Sequence, residues 1–188
     1  MLKKFFSGFQ RKRDVYQLYS QIVEQARTPA FYLEYGVGDT VDGRFDMILL
    51  HLFLILQRLE EEGESQSKLQ RQLQEAFVTD MDRSLREMGV GDMSVGKQVK
   101  KMSVAWFGRA EAYREALTDA DNNALEDALC RNVFRDDSKG DVARLALYVR
   151  ACCDGLSHQS IHDIKVKPVF ASPDTSSNTG THKGKENE

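Results

Sequence analysis

The chain has 188 residues, 41% of them hydrophobic and 29% charged, with a formal net charge of -3. That length supports one well-buried core, and the composition is that of an ordinary soluble globular protein, not of a repeat protein or a fibre. The small negative charge provides no bulk positive field, so nucleic-acid binding would have to rest on a local patch, and DNA is not an expected partner.

The first thirteen residues, MLKKFFSGFQRKR, carry Lys3, Lys4, Arg11, Lys12 and Arg13 with Phe5, Phe6 and Phe9 among them and no acid. Such a basic, aromatic segment suits a peripheral contact with an anionic membrane; the other reading is a basic terminus whose phenylalanines pack on the domain. It has neither the apolar run nor the cleavage site of a secretory signal, and it is short for a transit peptide. An all-helical domain is expected from residue 14 to 165. Its one long apolar run, MILLHLFLIL at residues 47–56, falls well below the roughly twenty residues that span a bilayer. With its flanks it is apolar nearly all round, as the central helix of a bundle would be. His51, inside this run, reads as a hydrogen-bonded core residue.

The segments that follow keep the helical period. Leu69, Leu73, Phe77, Met81, Leu85 and Met88 form one stripe, with Gly89 as the helix stop. Val95, Val99, Met102 and Trp106 form the next, with Ser94 as its N-cap. Further stripes run through Leu125, Leu129 and Val133, and through Val142, Leu145, Val149, Cys152 and Leu156. The sum is about six helices, all-α, in a single bundle around the central apolar helix.

Between the second and third of these helices, the string GDMSVGK at residues 91–97 has the glycine and lysine spacing of a phosphate-binding loop. Such a loop needs a strand to deliver the glycines and a Ser or Thr after the lysine to hold magnesium. Here a helix ends at Gly89 and Gln98 follows Lys97. A compact turn is expected instead, with Gly89 and Gly91 free to adopt positive φ and Lys97 in the first turns of the next helix.

No catalytic set emerges. Asp82/Arg86 and Arg83/Glu87 are four apart and suit ion pairing on a helix surface. His158 and His162 share that spacing, but no second pair of ligands accompanies them. Cys130, Cys152 and Cys153 form neither a disulfide framework nor a metal motif, which fits a reducing compartment. From Ser172 onward the chain has no apolar residue, and a disordered tail is expected over residues 166–188.

Three strings carry a resemblance: YSQIVEQARTPAFYLEYGVGDTVDGRFDMILLHLFLILQRL, then FVTDMDRSLREMGVGDMSVGKQVKKM, then FGRAEAYREAL. Together they make the sequence similar to the ubiquinol-cytochrome c chaperone family, also called cytochrome b pre-mRNA-processing protein 3, from about Tyr19 to Leu156. The family pattern has a proline where Gly38 stands, so the turn at 36–39 is expected to be less rigid here.

The resemblance implies a non-enzymatic assembly factor for the respiratory cytochrome bc complex that binds newly made cytochrome b, with no cofactor. A small partner protein and the ribosome are further implied partners. It also implies a location at the inner face of a bacterial plasma membrane, or at the mitochondrial inner membrane in a eukaryote. A client made of apolar helices with charged loops would fit an apolar groove flanked by charges. Phe31, Tyr32, Tyr35, Trp106 and Phe107 are the candidate groove residues. The candidate polar contacts are Asp39, Asp42, Arg44 and Asp46 in the first string, then Asp82, Arg83, Arg86, Glu87, Lys97, Lys100 and Lys101. The competing function is a ribosome- or RNA-binding adaptor that places the three lysines on phosphates.

Overall fold

The computed structural model describes residues 2–135 and 140–173, with side chains from Arg13 onward. It is helical, and no strand occurs among the described residues. In chain order the helices are α1 (Leu2–Ala26), α2 (Pro29–Leu33), α3 (Val41–Glu61), α4 (Ser67–Glu87), α5 (Asp92–Thr118), α6 (Asn123–Leu129), α7 (Val142–Ser157) and α8 (Ile161–Val166). A 3-10 turn, Gly63–Gln66, leads into α4, and a π-helical turn, Cys130–Phe134, extends α6. The two elements beyond the expected six, α2 and α8, have five and six residues. Helices that short show no periodicity from which to read them.

Helix α3 is the centre of the bundle, as its composition requires. Every residue from Asp46 to Leu56 is buried, so the helix has no solvent face and must be covered on all sides. The covering is supplied by α1, α4, α5, α7 and the π-helical turn. His51 is fully buried, and its polar atoms are satisfied. Nδ1 lies 2.8 Å from the Met47 carbonyl oxygen, which can only accept, so this nitrogen carries the proton. Nε2 then accepts from the Tyr148 hydroxyl at 2.8 Å, and Gln25 donates to the same hydroxyl at 3.1 Å. Phe31 sets its edge against both the Tyr148 and the His51 ring.

The helix ends follow local rules. The Thr40 side chain caps α3 by accepting from the Gly43 amide at 3.0 Å, and Asp141 caps α7 by accepting from Arg144. At the end of α4, Val90 donates to the Leu85 carbonyl and Gly89 to that of Arg86, the two bonds of a Schellman motif, with Gly89 at φ 83°. The glycine stop is therefore as expected, but the next helix starts earlier than expected. Gly91, at φ -64° and not in the positive region, is the N-cap of α5, and Ser94 lies inside the helix. The GDMSVGK string is thus the N-cap and the first six residues of α5, and no strand precedes it among the described residues.

The expected tail boundary at residue 166 also shifts. Gln159 clamps Val169 through both its amide atoms, at 2.7 and 2.9 Å. Phe170 then packs on the His51 ring at 5.3 Å between centroids, and Tyr35 donates to the Pro173 carbonyl at 2.6 Å. Residues 168–173 therefore form a strap across the bundle, and the rest of the expected disordered tail, 174–188, lies outside the described residues. At the other end, α1 runs unbroken through the expected boundary at residues 13 and 14.

Two expectations about stability follow. A Cβ on Gly43 would sit 2.0 Å from the Gly38 carbonyl oxygen, whereas one on Gly38 would meet only Thr40 at ordinary distances. Gly43→Ala should cost about 2 kcal/mol or more, and Gly38→Ala should be neutral or stabilise by about 0.4–1 kcal/mol in denaturant titrations. Burial lowers the pKa of His51 to about 4. The unfolded chain therefore binds this proton more readily, and stability should be lost as pH falls from about 6.5 to about 4. His51→Gln should flatten that slope, as read from melting temperature against pH and compared with the wild type.

Candidate functional site

The polar residues picked from sequence fall into separate groups. Asp46 belongs to the interior. Its carboxylate is fully buried and lies 2.6 Å from Arg109 on α5 and 3.1 Å from Arg135, which also reaches Asp42 at 3.1 Å. Arg135 follows the π-helical turn in a left-handed conformation, φ 55°, that aims it back at α3. Burial raises the Asp46 pKa to about 6 against the pull of the two guanidiniums, so the group is ionised at pH 7. Asp46 is therefore an internal tie between α3, α5 and the π-helical turn, not a contact for a partner. Removing one member of a buried pair leaves an uncompensated charge.

The aromatic groove expected from sequence does not form as drawn. Phe31 and Tyr35 are fully buried and Trp106 is nearly so, all three within the core. Tyr32 is half-buried and donates to the Ala26 carbonyl at 2.8 Å. Phe107 alone stands out in water, 64% exposed, beside a shallow groove of about 300 Å³ between α4 and α5. Sequence pattern places an aromatic on a face but does not say which neighbour covers that face.

The charged residues of α4 are exposed and largely paired among themselves. Arg86 binds Asp82 at 2.7 Å and also Asp92, and Arg83 lies 2.9 Å from Asp80 and 3.7 Å from Glu87. In the first string Arg44 donates to Asp39 at 2.7 Å, which holds that carboxyl below its ordinary pKa. Lys97, Lys100 and Lys101 lie exposed along α5.

A groove of about 1000 Å³ between α1, α2 and α4 brings several of these elements together. Tyr19 and Val23 of α1, Arg27 and Pro29 before and in α2, and Asp80 and Arg83 of α4 line it. The Tyr19 hydroxyl donates to Asp80 at 3.0 Å, and the other Asp80 oxygen accepts from Arg83 at 2.9 Å. Burial and the neighbouring carboxylate raise the Tyr19 pKa, so it remains a donor. Arg27 acts electrostatically on both Tyr19 and Tyr32, and Arg44 and Asp39 act on Tyr32. Tyr19, Arg27, Asp80 and Arg83 thus share the groove, and the Arg27 charge also reaches Tyr32 outside its lining. Sequence reasoning missed Tyr19, Arg27 and Asp80 as members, because their meeting depends on how α1 packs against α4. Among the described residues no group of three His, Cys, Asp or Glu side chains is placed to hold a metal, and no helix is long and apolar enough to cross a membrane.

The groove thus joins charges of both signs to the Tyr19 ring on an all-helical domain. The sequence model of the ubiquinol-cytochrome C chaperone family matches residues 33–170, and the chain belongs to that family. The crystal structure of the Cbp3 homolog from Brucella abortus is similar to it with a TM-score of 0.80 and 34% sequence identity, covering 93% of this chain and 99% of that one. The ubiquinol-cytochrome c reductase complex assembly factor 1 of Homo sapiens is 26% identical over 129 residues, 69% of this chain and 43% of that protein. The Drosophila melanogaster protein of the same name is 26% identical over 161 residues, 82% of this chain and 62% of its own length. This chain therefore spans less than half the length of the human relative.

The Asp46 tie can be measured. Asp46→Asn should cost about 3 kcal/mol, since it leaves Arg109 with no full countercharge in a nearly closed site. Arg135→Ala, which removes a half-exposed partner, should cost about 1 kcal/mol. Equal losses in the two variants would contradict this division of roles.

Proposed function

We propose that this chain is a non-enzymatic assembly factor of the respiratory cytochrome bc complex and that it holds newly made cytochrome b. The observation that carries the reading is the α1–α2–α4 groove, where two of the strings that resemble the family meet. The first string contributes Tyr19, Val23 and Arg27, and the second contributes Asp80 and Arg83. The names of the relatives, reductase complex assembly factors, support the complex as the target.

The groove's chemistry suits a particular kind of segment. Its rim offers Arg27 and Arg83 against Glu24 and Asp80, and its floor offers the aromatic ring of Tyr19 and the methyls of Val23. A helix end or charged loop of a membrane protein, apolar on one side and charged on the other, matches that lining in the helix-in-groove manner. Such a contact is reversible, because exposed charges steer and orient a partner without locking it. The paired charges at the end of α4 extend the same surface and give a small partner protein or the ribosome a place to meet the loaded chaperone. The basic, phenylalanine-bearing start of α1 supplies a peripheral contact with the membrane into which the client inserts.

Reversing charge at the groove tests this reading. Arg27→Glu combined with Arg83→Glu should lower the cytochrome b recovered with the protein from detergent-solubilised membranes several-fold, and bc complex levels should fall with it. Accumulation and melting temperature of the variant should change little, because exposed ion pairs contribute about 1 kcal/mol or less. Undiminished recovery of cytochrome b with a stable variant would remove the groove from the function.

A further inference from the structure

Helix α5 carries on its outer side a stripe that stays largely exposed among the described residues. Met93, Val104 and Phe107 on it are 99%, 65% and 64% exposed, and Lys97 and Lys100 lie exposed between them. At 3.6 residues per turn these five side chains fall within a sector of about 80°, with Lys101 at its edge, over about 21 Å of helix. Gly96 and Gly108 flank the stripe with open space around them.

The charge on this face is one-sided. From Met93 to Ala110 the sequence has no Asp or Glu. The acids at the two ends are already engaged, Asp92 with Arg86 and Glu111 with Arg114. Arg109 is turned inward to Asp46, whereas the three lysines have no ion pair among the described residues. The contrast is with α4, whose exposed arginines are each held by a carboxylate.

We propose that the outer face of α5 docks on an anionic phospholipid surface. Met93, Val104 and Phe107 enter the boundary between headgroups and acyl chains, and Lys97, Lys100 and Lys101 extend to the lipid phosphates. A nucleic acid would take the lysines but leave Met93 and Val104 in water, so it explains only half of the face. This surface is separate from the basic start of α1 and stands whether or not cytochrome b is the client.

The test uses the full chain and vesicles of phosphatidylcholine alone or enriched in phosphatidylglycerol. Binding should require the anionic lipid and weaken with salt. Replacing the three lysines together, K97Q, K100Q and K101Q, should reduce affinity about tenfold or more. Phe107→Ser should reduce it several-fold. Trp106 is the only tryptophan and is buried on the opposite side of α5, so Phe107→Trp places a reporter in the stripe, and bromine-labelled acyl chains in the anionic vesicles should quench this added fluorescence. Adding the three lysine substitutions to Phe107→Trp should abolish that quenching, while adding Phe5→Ser, Phe6→Ser and Phe9→Ser should leave it. The exposed position of the lysines predicts an unchanged circular dichroism spectrum. Should the lysine variant not fold, the lipid and salt dependence of the wild type and the quenching of Phe107→Trp still decide. Equal binding to both vesicle types, no binding to anionic vesicles, or unaltered affinity in a folded lysine variant would overturn the proposal. So would a lysine variant that loses binding to ribosomal RNA but keeps the vesicles.

Discussion

Helix α3 has no polar face to give to water, and the remaining helices are arranged by the need to cover it. Removing apolar surface from water contributes about 25 cal/mol per Å², and a helix buried on every side collects that gain around its full circumference. The arrangement has a cost at the helix ends and wherever a polar group is carried inside. His51 is kept neutral and bonded to Met47 and Tyr148, so its two nitrogens cost little. Asp46 is kept charged and placed between two arginines from different elements. One interior polar group thus fixes the inward side of α7, and the other fixes where α5 and the π-helical turn must sit.

The same constraint shapes the surface. Because α1 and α4 both turn their apolar sides to α3, their polar sides diverge outward and leave a groove whose walls are charged. Because Arg109 is drawn inward to Asp46, the outer face of α5 retains lysines and apolar residues alone. The two surfaces differ in kind: the groove is a mixed-charge recess, and the α5 stripe joins lysines to exposed apolar side chains. They lie on different elements, and the partners proposed for them differ accordingly, a protein segment for one and a lipid layer for the other.

The all-helical architecture and the central place of α3 could be read from periodicity, since long stripes such as Leu69 to Leu85 leave no other reading. The rejection of a phosphate loop followed from context alone and matches a helix that begins at Asp92. What could not be read were features set by a few tertiary contacts. Phe31 and Tyr35 look like any aromatic pair beside a proline, and only the packing of α7 and the strap against them decides that they are interior. Asp46 looks like a surface acid until its two arginines, far away in sequence, are brought to it. Tyr19 and Asp80 are separated by 61 positions, and no local pattern joins them. The resemblance to a family marked these segments as strings but not the packing that brings Tyr19 and Arg27 to Asp80 and Arg83.

The strap at residues 168–173 bears on how the molecule is made. A chain is synthesised from its N-terminus, and its elements begin to pack as they emerge. Phe170, which closes the His51 side of the core, and Pro173, which satisfies Tyr35, come after all eight helices of the described structure. Until those residues arrive, the bundle around α3 lacks the ring that packs on His51 and the carbonyl that accepts from Tyr35. The final tightening of this fold is therefore a late event, performed by a segment with no regular structure of its own.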